Sequence, residues 1–346
     1  MTALTAAARP EQDASPRPLP WRRMAWVTWR QHRIALAGVA LLLGGLGVWL
    51  WLEGMAAHHA YTTAVNCHPA SSGACGALVG YFLNYVSTGS TITIVLQAVP
   101  ALIGAFAGAP VLAREMETGT FRYAWTLGFG RWRWTLAKLV PLGIVVAAAA
   151  GAFSLLFSWY YQPFLTQTLS FNNQVPLDQG VFDLRGVAFA AWALAAFAIG
   201  ALAGMLIRRV VPAIVATLAV YTGLAIAAAL YLREHYMTPL LIKNADAPAS
   251  AWTISQWWTK GGQPVSQDTL SQVLQAAPQL AGGKGGIPQD DPTVNQYLAQ
   301  HGYTLWTSYQ PGSRFWPFQW IESGWLLALS VLLIAATIWL VRRRAA

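Results

Sequence analysis

The glycine-rich run Gly282-Gly283-Lys284-Gly285-Gly286 is the nearest thing in this 346-residue chain to a phosphate cradle. It lacks the P-loop spacing and the Ser or Thr that would reach Mg²⁺, so the chain is expected to bind no nucleotide of its own. The six histidines are scattered, and only His58 and His59 are neighbours. No His-Glu-x-x-His or Cys-x-x-Cys spacing exists, so neither a metal nor another cofactor is expected. No Ser, His and Asp grouping marks a hydrolase. Asp290-Asp291 with His301 would be the place for an enzyme acting on lipids at an interface. Asp291 before Pro292 reads instead as a helix N-cap with proline at N1, and His301 as a solvated side chain. Cys67 and Cys75 are the only cysteines. On an oxidising side of a membrane they would close a small loop as a structural disulfide; two free thiols are the alternative.

The elements around these residues are membrane spans. Ile34 to Leu52, Thr91 to Leu112, Leu139 to Tyr161, Val187 to Ile207, Val210 to Leu232 and Ser323 to Val341 carry no Asp, Glu, Lys or Arg. Each has about the 20 residues a helix needs to cross the hydrocarbon, where only a helix or a closed barrel satisfies its own backbone. The first is longer than a signal-peptide core and reads as retained. Basic residues set the orientation. Arg9, Arg17, Arg22, Arg23, Arg30 and Arg33 precede span one; Arg114, Arg122, Arg131, Arg133 and Lys138 lie between spans two and three. Arg208 and Arg209 follow span four, and Arg342, Arg343 and Arg344 follow span six. These sixteen of 22 Lys and Arg share one face, which the positive-inside rule makes cytoplasmic, with both termini inside. The net charge of +9 is thus explained by topology and anionic lipid, not by nucleic acid.

The expected architecture is an all-α polytopic membrane protein. Residues 1–19 read as a disordered cytoplasmic tail. Residues 20–33 read as an amphipathic interfacial helix, with Trp21, Met24 and Val27 opposite Arg22, Arg23, Arg30 and Arg33; a plain extension of span one is the alternative. Residues 34–232 hold spans one to five, 233–322 an extracellular unit, and 323–346 span six with a basic tail. Ala77 to Val86 is too short to cross and reads as a re-entrant or interfacial piece. Gln97 and Pro100 interrupt span two, where proline removes a helix hydrogen bond. Gly104 and Gly108, like Gly200 and Gly204, form small-xxx-small faces for close helix approach. In the outer unit, Val265 to Ala277 and Thr293 to Gln300 are patterned as helices, and short strands around Tyr303 to Ser308 stay open. Phe315, Trp316, Phe318 and Trp320 suit an interfacial aromatic belt.

Two features bear on energy. An ion-driven carrier often keeps an ionisable residue at mid-membrane, and none of the six uncharged stretches has one, so energy would enter from the cytoplasm. The loop from Ala113 to Lys138 offers the entry: a charged exit from span two, a break at Gly119, a short aromatic helix from Thr120 to Leu127, then a basic run into span three. As a lever it would move both spans; as an anchor it would only seat Trp125, Trp132 and Trp134 in headgroups.

Arg114-Glu115-Met116-Glu117-Thr118-Gly119-Thr120, continuing through Arg131 to Lys138, resembles the glutamate, Gly-Thr and basic-to-Lys pattern of type-2 ATP-binding-cassette (ABC) transporter permeases. Thr28 to Arg33 (T-W-R-Q-H-R) and Tyr309 to Glu322 are similar to the actinobacterial form of that family. Arg122 departs from the pattern, where many members have glutamate, as does Gly128-Phe129, where a proline is common. The resemblance implies a permease subunit in a bacterial cell membrane, exporting an amphipathic small molecule, lipid or peptide. It implies a coupling helix in the first cytoplasmic loop, with Arg114, Glu115, Met116, Glu117, Gly119, Thr120, Phe121, Arg122 and Trp125 at the contact with a separate ABC ATPase dimer. ATP and Mg would be bound by that partner, and a second permease half, identical or related, would face this one. Gln97, Phe106, Tyr221 and Thr222 are the candidates for the translocation path. The competing reading is a non-transporting scaffold or sensor whose outer unit binds a ligand.

Overall fold

The computed structural model describes residues 21–69, 72–119, 131–166, 175–245, 247–275 and 292–343. Six of its helices are long and apolar enough to cross a bilayer: Leu36–Val65, Gly73–Thr118, Trp132–Leu165, Ala188–Ile207, Val210–His235 and Gly312–Arg343. The membrane body is therefore the helical, multi-pass architecture expected from the sequence. The expected tail, 1–19, lies outside the described residues.

Span four is the hub. It is apolar all round, and a helix of that kind belongs inside a bundle. Its residues from Ala188 to Ala198 bury Phe189, Trp192 and Phe197 almost completely. Spans two, three, five and six surround it, while span one packs on spans three and two. Spans two and four meet backbone to backbone through the two glycine pairs. A Cβ on Gly104 would lie 2.5 Å from the Ala196 carbonyl oxygen, and one on Gly108 would lie 2.6 Å from that of Phe197. Gly200 and Gly204 press in return on the backbone of Gly104 and Ala109. Gly104–Gly108 is itself a π-helical turn, bounded by the two glycines that meet span four.

The helices overrun the uncharged stretches. Trp21–Val65 is one continuous helix, so the expected interfacial segment runs without a break into span one and past Leu52. Ala77 to Val86 is not a separate re-entrant piece; it lies inside Gly73–Leu96, which leads directly into span two. Glu53 and Glu322 thus sit within helices, where backbone bonding continues after hydropathy has ended. Span two breaks once, at Gln97, before the short helix Ala98–Ile103 that contains Pro100. Cys67 and Cys75 are joined in a disulfide with Cα atoms 5.6 Å apart, tying the first two helices beside their connection.

The outer unit is mixed, not helical throughout. Strands β1 (Leu240–Lys243), β2 (Trp252–Lys260), β3 (Gln263–Pro264) and β4 (Tyr303–Gln310) form an antiparallel sheet in the order β1-β4-β2-β3. Helices Gln267–Gln275 and Pro292–Gln300 cover one face through Leu270, Val294 and Leu298, which pack on Trp258 and Tyr303. At the start of β2, Trp252 to Ser255 alternate between half-buried and exposed, the two-residue period of a strand. Phe315 to Trp320 splits by helical face: Phe318 is fully buried, whereas Trp316 and Trp320 are exposed and stack at 6.5 Å.

Candidate functional site

At the end of the bundle opposite the sheet, Glu115 and Lys138 form an ion pair between spans two and three, with Lys138 Nζ 3.9 Å from the Trp134 ring centroid. Both side chains are largely buried, and Glu115 Oε2 is buried without a partner among the described residues. Two residues on, Glu117 Oε2 accepts the Val210 backbone N–H at 3.1 Å, which caps the first turn of span five. Arg208, at φ 60°, ends span four and turns the chain towards that cap. Gly119, at φ 71°, ends span two in the left-handed conformation that glycine adopts readily. Arg114 is exposed and Met116 packs on the core, so the sequence motif divides by face. Thr120, Phe121, Arg122 and Trp125 lie outside the described residues.

Nearer the outer end, a cavity of about 510 Å³ opens between spans two, four and five. Gln97, Tyr221 and Thr222 line it together, with Trp192 and Asp183. Phe106 does not; it is 57% exposed on the π turn of span two. The Gln97 break is held by its own side chain, whose Nε2 donates to the Gly180 carbonyl at 2.7 Å. Tyr221 meets Trp192 edge to face at 5.6 Å.

Behind the cavity lies an ion cluster that sequence reading missed. Arg233 is fully buried. Its Nε donates to Glu322 Oε2 at 3.1 Å and its Nη2 to Glu322 Oε1 at 2.8 Å; Nη2 also pairs with Asp183. Glu322, also fully buried, accepts Trp192 Nε1 at 2.8 Å and the Tyr236 hydroxyl at 3.1 Å. The guanidinium sits 4.5 Å from the Phe182 ring centroid. Gln319, one turn before Glu322, secures the linker: its Oε1 accepts Ala188 N–H at 2.8 Å and its Nε2 donates to the Phe182 carbonyl at 2.9 Å. Burial pushes the Asp183 carboxyl up to about 7 even though Arg233 pulls it down. Burial likewise raises Asp178, against the pull of the Gln179 N–H and of Arg233.

The cluster lies at the ends of the uncharged stretches, not within them. Arg233 directly follows an uncharged stretch, Glu322 directly precedes another, and Asp183 stands just before span four. Opposite charges abutting three outer span ends were the available signal, since such charges must pair if the ends converge.

A family model described as "ABC-2 membrane transporter related" matches residues 39–233, more than half of the chain. No curated protein and no solved structure matches.

Proposed function

From the premise that the chain belongs to the ABC-2 membrane transporter related family, we propose that it is the permease subunit of an ABC exporter. It would be driven by a separate ATPase dimer and paired with a second permease half. The observation that carries this reading is the bracing of the first cytoplasmic loop. One of its acids is tied to span three through Lys138 and another to the start of span five through the Val210 N–H. A partner that displaces residues 113–138 would therefore move spans two, three and five together. Those are the spans through which force must pass to reach the cavity lined by Gln97, Tyr221 and Thr222.

In this reading Glu115 and Glu117 have different duties from Arg114. The two acids transmit motion inside the subunit, whereas exposed Arg114 meets the ATPase with Thr120, Phe121, Arg122 and Trp125. ATP and Mg²⁺ belong to the partner. Nucleotide would work the gate only through different affinity for two states of the assembly. The cargo is amphipathic, in keeping with a cavity whose walls are mostly apolar with a few polar groups.

Co-purification from native membranes tests the proposal. Recovery of an ABC ATPase that is lost on Arg114→Glu, with the isolated variant still folded, is the expected result. Recovery of no ATPase, or of one indifferent to Arg114→Glu and to Glu117→Lys, would return the chain to the scaffold or sensor reading.

A further inference from the structure

We infer that the cavity between spans two, four and five takes an amphipathic cation, with its positive group between Asp183, Tyr221 and Trp192 and its apolar part against Ile94 and Ile226. This rests on the permease reading and specifies its cargo.

Charge is the first argument. Asp183 is the sole ionisable acid or base besides Tyr221 in the lining, and no Lys, Arg or His joins it. Arg233 is shared by Asp183 and Glu322, so one positive charge answers two carboxylates. A desolvated carboxylate that is only half balanced is costly, and a cation in the cavity would complete the pairing. An anionic group would meet that same carboxylate without a basic partner in the lining.

Two neighbours of Asp183 suit an ammonium-like or phosphonium-like group. Trp192 and Tyr221 meet edge to face at 5.6 Å, and aromatic faces attract cations most where water is excluded. Tyr221 is only 6% exposed, and its hydroxyl makes no hydrogen bond to a described residue, although it lines the cavity. The rest of the site is apolar. Ile94 and Ile226, at the rim, are 73% and 52% exposed, so an apolar tail can leave sideways between spans two and five. A volume of about 510 Å³ matches a drug-sized ligand.

The test uses the full chain in nanodiscs, without nucleotide or ATPase. Tetraphenylphosphonium and tetraphenylborate, alike in shape and opposite in charge, are titrated against it, with uptake by empty nanodiscs subtracted. Phosphonium should bind at least about tenfold more tightly than borate, and Asp183→Asn should remove about tenfold of phosphonium affinity, the scale of a partly desolvated charge contact without a hydrogen bond. Phosphonium keeps its charge at every pH, so its binding should strengthen from pH 6 to 8 as Asp183 ionises near 7. The groups that act on Asp183 or feel its charge are Arg233 and Tyr221 from span five and Glu322 from span six, while Asp178 and Arg185 stand in the same linker.

Ile226→Trp, at the exposed rim and away from the ion cluster, should block phosphonium without lowering Tm, which keeps the test decisive if Asp183→Asn fails to fold. Equal binding of the two ions, or phosphonium affinity untouched by Ile226→Trp, would overturn the inference. Either result leaves the ATPase co-purification standing as the separate measure of the permease reading.

Discussion

Arg233 holds together residues from three parts of the chain that meet at the outer end of the bundle. Glu322 comes from span six and Asp183 from the linker before span four, and Trp192 reaches Glu322 from within span four. Removing one partner from such a buried set leaves uncompensated charge and costs about 3–5 kcal/mol. Arg233→Met should therefore lower Tm sharply in detergent. Glu322→Gln should cost less, because its one amide oxygen keeps the Trp192 bond and the Tyr236 hydroxyl, which donates to the other oxygen, can turn to accept from the amide N–H. The pH dependence has a definite sign. Asp183 has a folded value of about 7 against an ordinary 3.8, so between those values the native state holds more protons than the unfolded chain. Its contribution to stability is full at the acid end of that window and is lost as pH rises through about 7. Thermal melts from pH 4 to 8 should show that fall, and Asp183→Asn should flatten it.

Between elements, the decisive contact is the glycine interlock of spans two and four. In lipid there is no hydrophobic drive between apolar helices, so close backbone approach and dispersion must supply the association. A methyl group on Gly200 would strike the Gly104 carbonyl and lie 2.7 Å from the Ala109 nitrogen. Gly200→Ala should force the helices apart at a cost of about 1–3 kcal/mol, read as a lower Tm or less folded protein. Gly151→Ala, on span three with nothing within 4 Å of the added carbon, should be tolerated. The same close approach puts the π turn of span two against span four, so any movement passed up from the Glu115–Lys138 pair acts on a rigid pair of helices.

Across the whole molecule, the topology separates the end braced by Glu115 and Lys138 from the disulfide-tied end that carries the sheet. The Cys67–Cys75 bond makes that separation measurable. Neither cysteine should react with a membrane-impermeant maleimide until the protein is reduced. After reduction, labelling should come from the side on which Thr269→Cys is accessible, opposite to Thr118→Cys. Closing so short a loop contributes about 2–3 kcal/mol in the chain-entropy picture, so reduction should lower Tm modestly without unfolding the bundle.

The sequence by itself determined the six spans, because a run of about 20 uncharged residues has no soluble alternative that satisfies its backbone so often. It also marked the glycine pairs and the region around Glu115 and Glu117, and it placed Gln97, Tyr221 and Thr222 on spans that turn out to share a cavity. It separated the interfacial helix from span one and cut short the start of span two, because hydropathy changes at points where helical hydrogen bonding does not. Only the tertiary structure decided that Arg233, Glu322 and Asp183 are one buried cluster, since their charges lie far apart along the chain and their pairing depends on where three span ends converge. The tertiary structure also turned Glu115 inward to Lys138 and left Phe106 outside the cavity, because facing is set by how helices pack, and packing is a relation between segments that no single segment encodes.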